Sequence, residues 1–270
     1  MMGRRLLRKL VPPYAVVAWL PNRRIFLELP SMPRTFLTAE WRYLAMLNYT
    51  IDPALLQPLV PPGTELDVFD STTYVSLVGF RFLRTKVLGL PIPWHRDFEE
   101  VNLRFYVRRR AAEGWRRGVA FVSELVPRRA IAFVARTFYG EPYTALPMGH
   151  RIEHNASSIH VEYRWQRDGK WESLGVLGRG EPQPLVAGSH EEFIAEHYWG
   201  YTARTGGCHE YQVEHPPWRI WSGTESYRHA DVLALYGPLF VEALSARPAS
   251  TLIAEGSPVT VRCPDRERLS

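Results

Sequence analysis

The sequence predicts an α+β protein built mainly from antiparallel strands with a few covering helices, and three features point there. Strand-like runs outnumber helix-like ones along the 270 residues. Two tight-turn signals, Glu113-Gly114 and Asp168-Gly169, each join a pair of such runs, as hairpins require. The third feature is residues 98–107, FEEVNLRFYV, whose strict alternation puts Glu100, Asn102, Arg104 and Tyr106 on one face and Val101, Leu103, Phe105 and Val107 on the other.

An ordinary half-exposed strand alternates in the same way. The sharper alternative is a β-barrel strand whose apolar face packs outward under helices while the polar row lines an inner cavity. An acid, an amide, a guanidinium and a phenol in one row suit a small polar ligand.

Residues 24–40 are mixed and proline-punctuated, and 41–49 form a strand of bulky residues. Asp52-Pro53 opens a short helix through Leu59, because Asp caps the first free amides and proline suits the first helical position. Pro61-Pro62-Gly63 ends it, and strands at 65–69 and 73–82 form a hairpin about Asp70-Ser71. A proline-rich loop over 86–97 leads into the alternating strand, and 118–125 returns antiparallel to it.

Residues 127–139 have helical spacing of Ile131, Phe133, Val134 and Phe138, with Gly140 as the stop. A hairpin of 158–165 and 170–177 follows. Ser189-His190-Glu191-Glu192 is a capping box opening a helix through Tyr198, with Ser189 accepting from the third helical amide and Glu192 reaching back. Short strands at 211–214, 217–221 and 259–263 complete the chain, with turns at Gly206-Gly207 and Gly256-Ser257.

The composition is that of a folded globular chain, 46% hydrophobic and 13% aromatic, and no long linker or repeat divides it. One domain over 41–270 preceded by an extension over 1–40 is expected. The aromatics, Trp94, Trp199, Trp218 and Trp221 among them, are assigned to core before interface. A net charge of +5 is modest, and the basic runs at 108–110 and 116–117 flank a turn and form no recognisable reader motif, so no nucleic-acid partner is expected. Cys208 and Cys263 form no disulfide framework, which makes a reducing, cytoplasmic setting the default. The N-terminal apolar run, broken by Pro12 and Pro13, is too short to span a bilayer; contact of Leu6, Leu7 and Leu10 with a membrane surface is the minor alternative to a docked or disordered tail.

The chain holds no phosphate-binding glycine loop, no Gly-x-Ser-x-Gly elbow and no His-Glu-x-x-His. Cys208, His209 and His215, or His150, His154 and His160, fit no compact zinc spacing, so no metal and no cofactor are assigned. Glu100 and Arg104 stand about 13 Å apart along a strand at about 3.3 Å per residue, so Asn102 lies between them and no direct pair forms. Glu124 on the return strand completes such a row, whether it is a satisfied structural network or a site.

Several stretches carry a resemblance to a known family: FEEVNLRFYV at 98–107, LVPPGTELD at 59–67, IDPAL at 51–55, GVAF at 118–121, GEPY at 140–143, HYWGY at 197–201, HPPW at 215–218 and AEGSPV at 254–259. In these the chain resembles DUF2071, a domain of unknown function of the YqjF-like kind, within the acetoacetate decarboxylase-like superfamily, over roughly residues 41–264. The resemblance implies a cone-shaped, mainly antiparallel barrel around a cavity.

It also implies that Glu100 matches the glutamate of the decarboxylases' aromatic-x-Glu segment. Those enzymes carry Gly-Phe-Pro-Lys-Lys, whose first lysine forms a Schiff base. Here Gly140-Glu141-Pro142-Tyr143-Thr144 stands in its place, and Tyr143 forms no imine. Lys9, Lys86 and Lys170 are the lysines, in a tail, a loop and a hairpin turn.

The expected protein therefore has a cavity for a small polar or anionic molecule, lined by Glu100, Asn102, Arg104, Tyr106 and Glu124. Any chemistry is lysine-independent acid-base work of a lyase- or isomerase-like kind: Glu100 moves a proton, Arg104 holds a carboxylate or enolate oxygen, and Tyr143 donates to developing charge. The alternative is a non-enzymatic interaction protein with a filled barrel, held at a membrane periphery. A homo-oligomer fits either.

Overall fold

A computed structural model of the chain describes residues 16–20, 23–27, 34–91, 95–128 and 142–263. The chain falls into two compact units, Met1–Arg34 and Thr35–Ser270. The first holds a hairpin of β1 (Val16–Leu20) and β2 (Arg23–Leu27).

The second unit is mostly strand with few helices. It begins with β3 (Thr35–Ile51), which starts earlier than the expected residue 41 because residues 35–40 already pair with strands on both sides. Asp52 then caps the short helix Pro53–Leu56, its carboxylate accepting from the Ala54 amide at 2.8 Å, and a 3₁₀ turn Gln57–Leu59 follows. Next come β4 (Glu65–Leu66), β5 (Thr73–Val87), β6 (Leu90–Pro91), β7 (Phe98–Ala111) and β8 (Gly114–Val126). The expected strand over 65–69 shrinks to β4 and an isolated bridge between Phe69 and Thr72. Ala111 pairs with Gly114, so the β7–β8 loop residues are Ala112 and Glu113, one place earlier than the expected turn.

The helix expected over 127–139 lies largely outside the described residues. Beyond it are β9 (Tyr143–Ala145), β10 (Met148–His154), β11 (Ser158–Arg167), β12 (Lys170–Arg179) and β13 (Gln183–Pro184). Asp168 and Gly169 turn the β11–β12 hairpin with φ of 50° and 78°, the left-handed pair that a two-residue hairpin needs. The helix His190–Ala195 stops short of the expected Tyr198, since the chain must turn back into β14 (Trp199–Arg204). Its cap is as expected at Ser189, whose hydroxyl accepts from the Glu192 amide at 3.1 Å, but Glu192 reaches the Gly188 amide rather than that of Ser189, which is bonded to Val186.

Then follow β15 (Gly207–Glu214), β16 (Arg219–His229), helices Val232–Tyr236 and Val241–Ser245, and β17 (Ser250–Arg262). Gly256 is no turn: it lies inside β17 at φ 77°.

The pairings form a cycle. β3, β5, β7, β8, β14, β15 and β17 are neighbours in that order, and β17 returns to pair with β3 over most of its length. All of these contacts are antiparallel except β8 with β14. Bulges bend the long members: the β3–β5 register slips between Arg42 and Ala45, where Tyr43 has φ 56°. The β10–β11–β12 strands extend from the cycle through β16, which pairs with β12 by its second half and with β17 by its first.

This extension covers the apolar face of β7. Val101, Leu103, Phe105 and Val107, each at most 1% exposed, pack in one core with Ile159, Val161, Tyr163, Leu174 and Val176. Tyr236, Phe240 and Leu244 of the 232–245 region join the same core. The expected helical cover is thus shared with strands, because a pleated face of β-branched and aromatic residues packs well on another pleated face. Trp218 and Trp221 are buried in core, whereas Trp94 lies outside the described residues.

Candidate functional site

On the other face of β7, Glu100, Asn102 and Arg104 are 3%, 2% and 8% exposed and border a cavity of about 190 Å³. The antiparallel register with β8 sets Glu124 directly across from Asn102, and the parallel β8–β9 pairing sets Tyr143 beside Glu124. Both Glu124 and Tyr143 border the same cavity. The structure therefore brings together five of the six residues singled out above.

Tyr143 donates its hydroxyl to Glu100 Oε2 at 3.0 Å, and Asn102 donates its amide nitrogen to Oε1 at 3.0 Å. The two donors fix the carboxylate plane. A β7–β8 bulge at Leu103–Arg104 shifts the register so that Arg104 faces Phe121 rather than Val122.

Arg104 is held differently. Its Nη2 donates to the Ile194 carbonyl at 3.3 Å, one of the last-turn carbonyls that the helix His190–Ala195 leaves without an intrahelical partner. Its guanidinium lies 5.7 Å from the Tyr106 ring centroid. No carboxylate pairs with it among the described residues, and its Nε is buried without a hydrogen bond.

Tyr106 takes another role than the expected one. It does not border the cavity, and its hydroxyl is bonded to Ser76 Oγ at 2.5 Å, which in turn donates to Asn48. The alternation that put it on the polar face is correct, but its ring packs against Phe193 and His197 instead of bordering the open space.

His197 was not singled out and borders the cavity. Burial pushes its imidazole down to about 4, with the charges of Arg117 and Arg104 adding to the effect and Asp67 opposing it. It is a neutral ring at neutral pH. Burial alone would raise Asp67, but its contacts with His197 and Arg117 outweigh that and hold the carboxyl below its ordinary range. Only the HYWGY text pointed to His197, and its role depends on Asp67, distant in sequence.

His215 also borders the cavity, stacked on Trp218 at 4.1 Å, and burial lowers its imidazole too. The other weighed metal donors are dispersed: His150 is bonded to Glu99 and His160 to Tyr227, while Cys208 is buried and pushed up to about 11 by burial. Among the described residues no lysine borders the cavity; Lys86 and Lys170 are exposed.

The cavity wall is less polar than the sequence suggested. Trp41, Phe80, Phe82, Phe98 and Trp218 are among its lining residues, Phe98 two places from Glu100 on β7 and Phe80 paired opposite Glu100 on β5. Such an enclosure orients a ligand by a few polar contacts and buries its remainder.

The cycle of strands defines an acetoacetate decarboxylase-like fold. The chain is similar to the acetoacetate decarboxylase of Legionella pneumophila, with a TM-score of 0.60 at 15% identity over 88% of this chain and 92% of that one. It is also similar to an acetoacetate decarboxylase-like enzyme from Sphingomonas wittichii RW1, with a TM-score of 0.58 at 15% identity over 87% and 93% of the two chains. The enduracididine biosynthesis enzyme MppR gives a TM-score of 0.61 at 12% identity over 88% and 90%.

Within that fold the chain belongs to the family DUF2071, described as an uncharacterized conserved protein, whose model matches residues 38–258. YqjF of Bacillus subtilis is 28% identical over 183 residues, covering 67% of this chain and 73% of that protein.

Proposed function

We propose that the chain is a cytoplasmic, cone-shaped barrel protein that binds a small organic acid in its interior and moves a proton on it without a lysine. The observation that carries this reading is Arg104. A guanidinium that is nine-tenths buried costs several kcal/mol to desolvate, and one with no carboxylate partner among the described residues is expected where an anion completes the site. Arg104 would take the acid's carboxylate. Glu100 would then take a proton from the carbon next to a carbonyl and return it to the rearranged product, while Tyr143 steadies the oxygen on which charge develops.

The likeness in fold to MppR supports a small oxo acid, since that protein is complexed with pyruvate in one structure and with the condensation product of pyruvate and imidazole 4-carboxaldehyde in another. Native mass spectrometry of the protein purified from its own cells, set against its denatured mass, tests the proposal. A retained acid lost in Arg104→Met and Glu100→Gln bears it out. Retention unchanged in both folded variants, or variants that both unfold, returns the row to a structural role.

A further inference from the structure

We propose, resting on the acid-binding reading above, that the acid carries a single aromatic ring, which lies against the wall of Trp41, Phe80, Phe82, Phe98 and Trp218. These rings already touch one another as a continuous surface. Phe82 stacks on Phe98 with centroids 4.5 Å apart and planes 12° apart, and Phe80 lies 5.2 Å from Phe82. Trp41 meets Phe80 edge-on at 5.3 Å and reaches Trp218 at 6.4 Å. Another ring fits such a wall by the same offset and edge-on contacts, whereas water against it finds no partners.

The wall and the polar row meet at one place. In the β5–β7 register Phe80 stands directly opposite Glu100 and Phe82 opposite Phe98, so the rings begin where the acid-base pair of Glu100 and Tyr143 sits. Arg104 lies further along β7 on the same face, and His215, which borders the cavity too, is stacked face to face on Trp218. A ligand with a carboxylate at Arg104 and a reacting carbon at Glu100 thus places its remaining substituent among the rings.

Size limits that substituent. The cavity of about 190 Å³ exceeds only slightly the ~150 Å³ space that takes up benzene in another protein. One six-membered ring with a three-carbon head is of that size.

Calorimetric titration of the full-length protein with phenylpyruvate, pyruvate and 2-phenylethanol tests this. Phenylpyruvate is expected to bind at least roughly 30-fold more tightly than pyruvate, the gain from burying one ring. Trp218→Leu and Phe82→Leu, checked for folding by thermal melting, should narrow that ratio by weakening phenylpyruvate more than pyruvate, and Arg104→Met should weaken both acids but not the alcohol. Equal affinity for the two acids overturns the aromatic preference and leaves the acid reading standing. An alcohol bound as tightly as phenylpyruvate overturns the acid reading itself, and binding of none of the three overturns both.

Discussion

The Tyr143 hydroxyl donates to Glu100 Oε2 at 3.0 Å across residues 43 positions apart, tying the edge strand β9 to the beginning of β7. A neutral donor on a buried carboxylate contributes about 1.5–3 kcal/mol. Tyr143→Phe is expected to lower the urea-unfolding free energy by about that amount, and to slow any turnover by about 10²-fold or more if the hydroxyl also serves the reacting oxygen. An unchanged unfolding midpoint would mean that another group takes over on Glu100.

Arg104→Met separates stability from function. Replacing a buried charge that has no carboxylate partner among the described residues by an apolar chain of similar length is expected to be neutral or to stabilise by about 1–3 kcal/mol, while acid binding disappears. Chemical denaturation and calorimetry on the same preparation read both. A loss of stability beyond about 3 kcal/mol would show that Arg104 is a structural strut through Ile194 instead.

The pH dependence of folding should carry the signature of His197. Its folded value of about 4 lies below the 6.5 of an unfolded histidine, so the unfolded chain binds more protons between those values and stability falls as pH drops from about 6.5 to about 4. The loss between pH 8 and pH 5 is about 2 kcal/mol from this group. His190 and His215, both lowered, act in the same sense. Denaturation curves of His197→Phe at the two pH values should lie closer together than those of the native protein; an equal gap would assign the acid sensitivity elsewhere.

Gly256 is required at the seam where β17 returns to β3. At φ 77° it is in backbone space that side chains rarely enter, and an added Cβ would collide with the Trp41 carbonyl oxygen. Gly256→Ala is expected to cost at least about 3 kcal/mol or to abolish cooperative unfolding in a thermal melt. Gly79→Ala presses a Cβ to 2.5 Å from the buried Tyr163 ring, where β5 meets β11, and should destabilise less, since a ring can shift where a carbonyl in a ladder cannot.

The sequence by itself determined the local elements and one face. Asp52-Pro53, Ser189 and Asp168-Gly169 act through their own backbone neighbours, so capping and turn chemistry reveal them without a fold. The alternation of residues 98–107 likewise determined that Glu100, Asn102 and Arg104 share a side, because period two is a property of any strand. What that side faces was decided only in three dimensions. Packing on Phe193 and His197 and the bond to Ser76 hold Tyr106 off the cavity; the β8–β9 pairing brought Tyr143 to Glu100; and the buried His197, with Asp67 beside it, depends on groups 130 positions apart. The long β3 and β17 strands, and the positive φ of Gly256 inside one of them, answer to a closing register between chain ends, a long-range constraint that no local pattern records. The aromatic wall is of the same kind, because its rings come from four separate stretches and become one surface only when the strands are laid side by side.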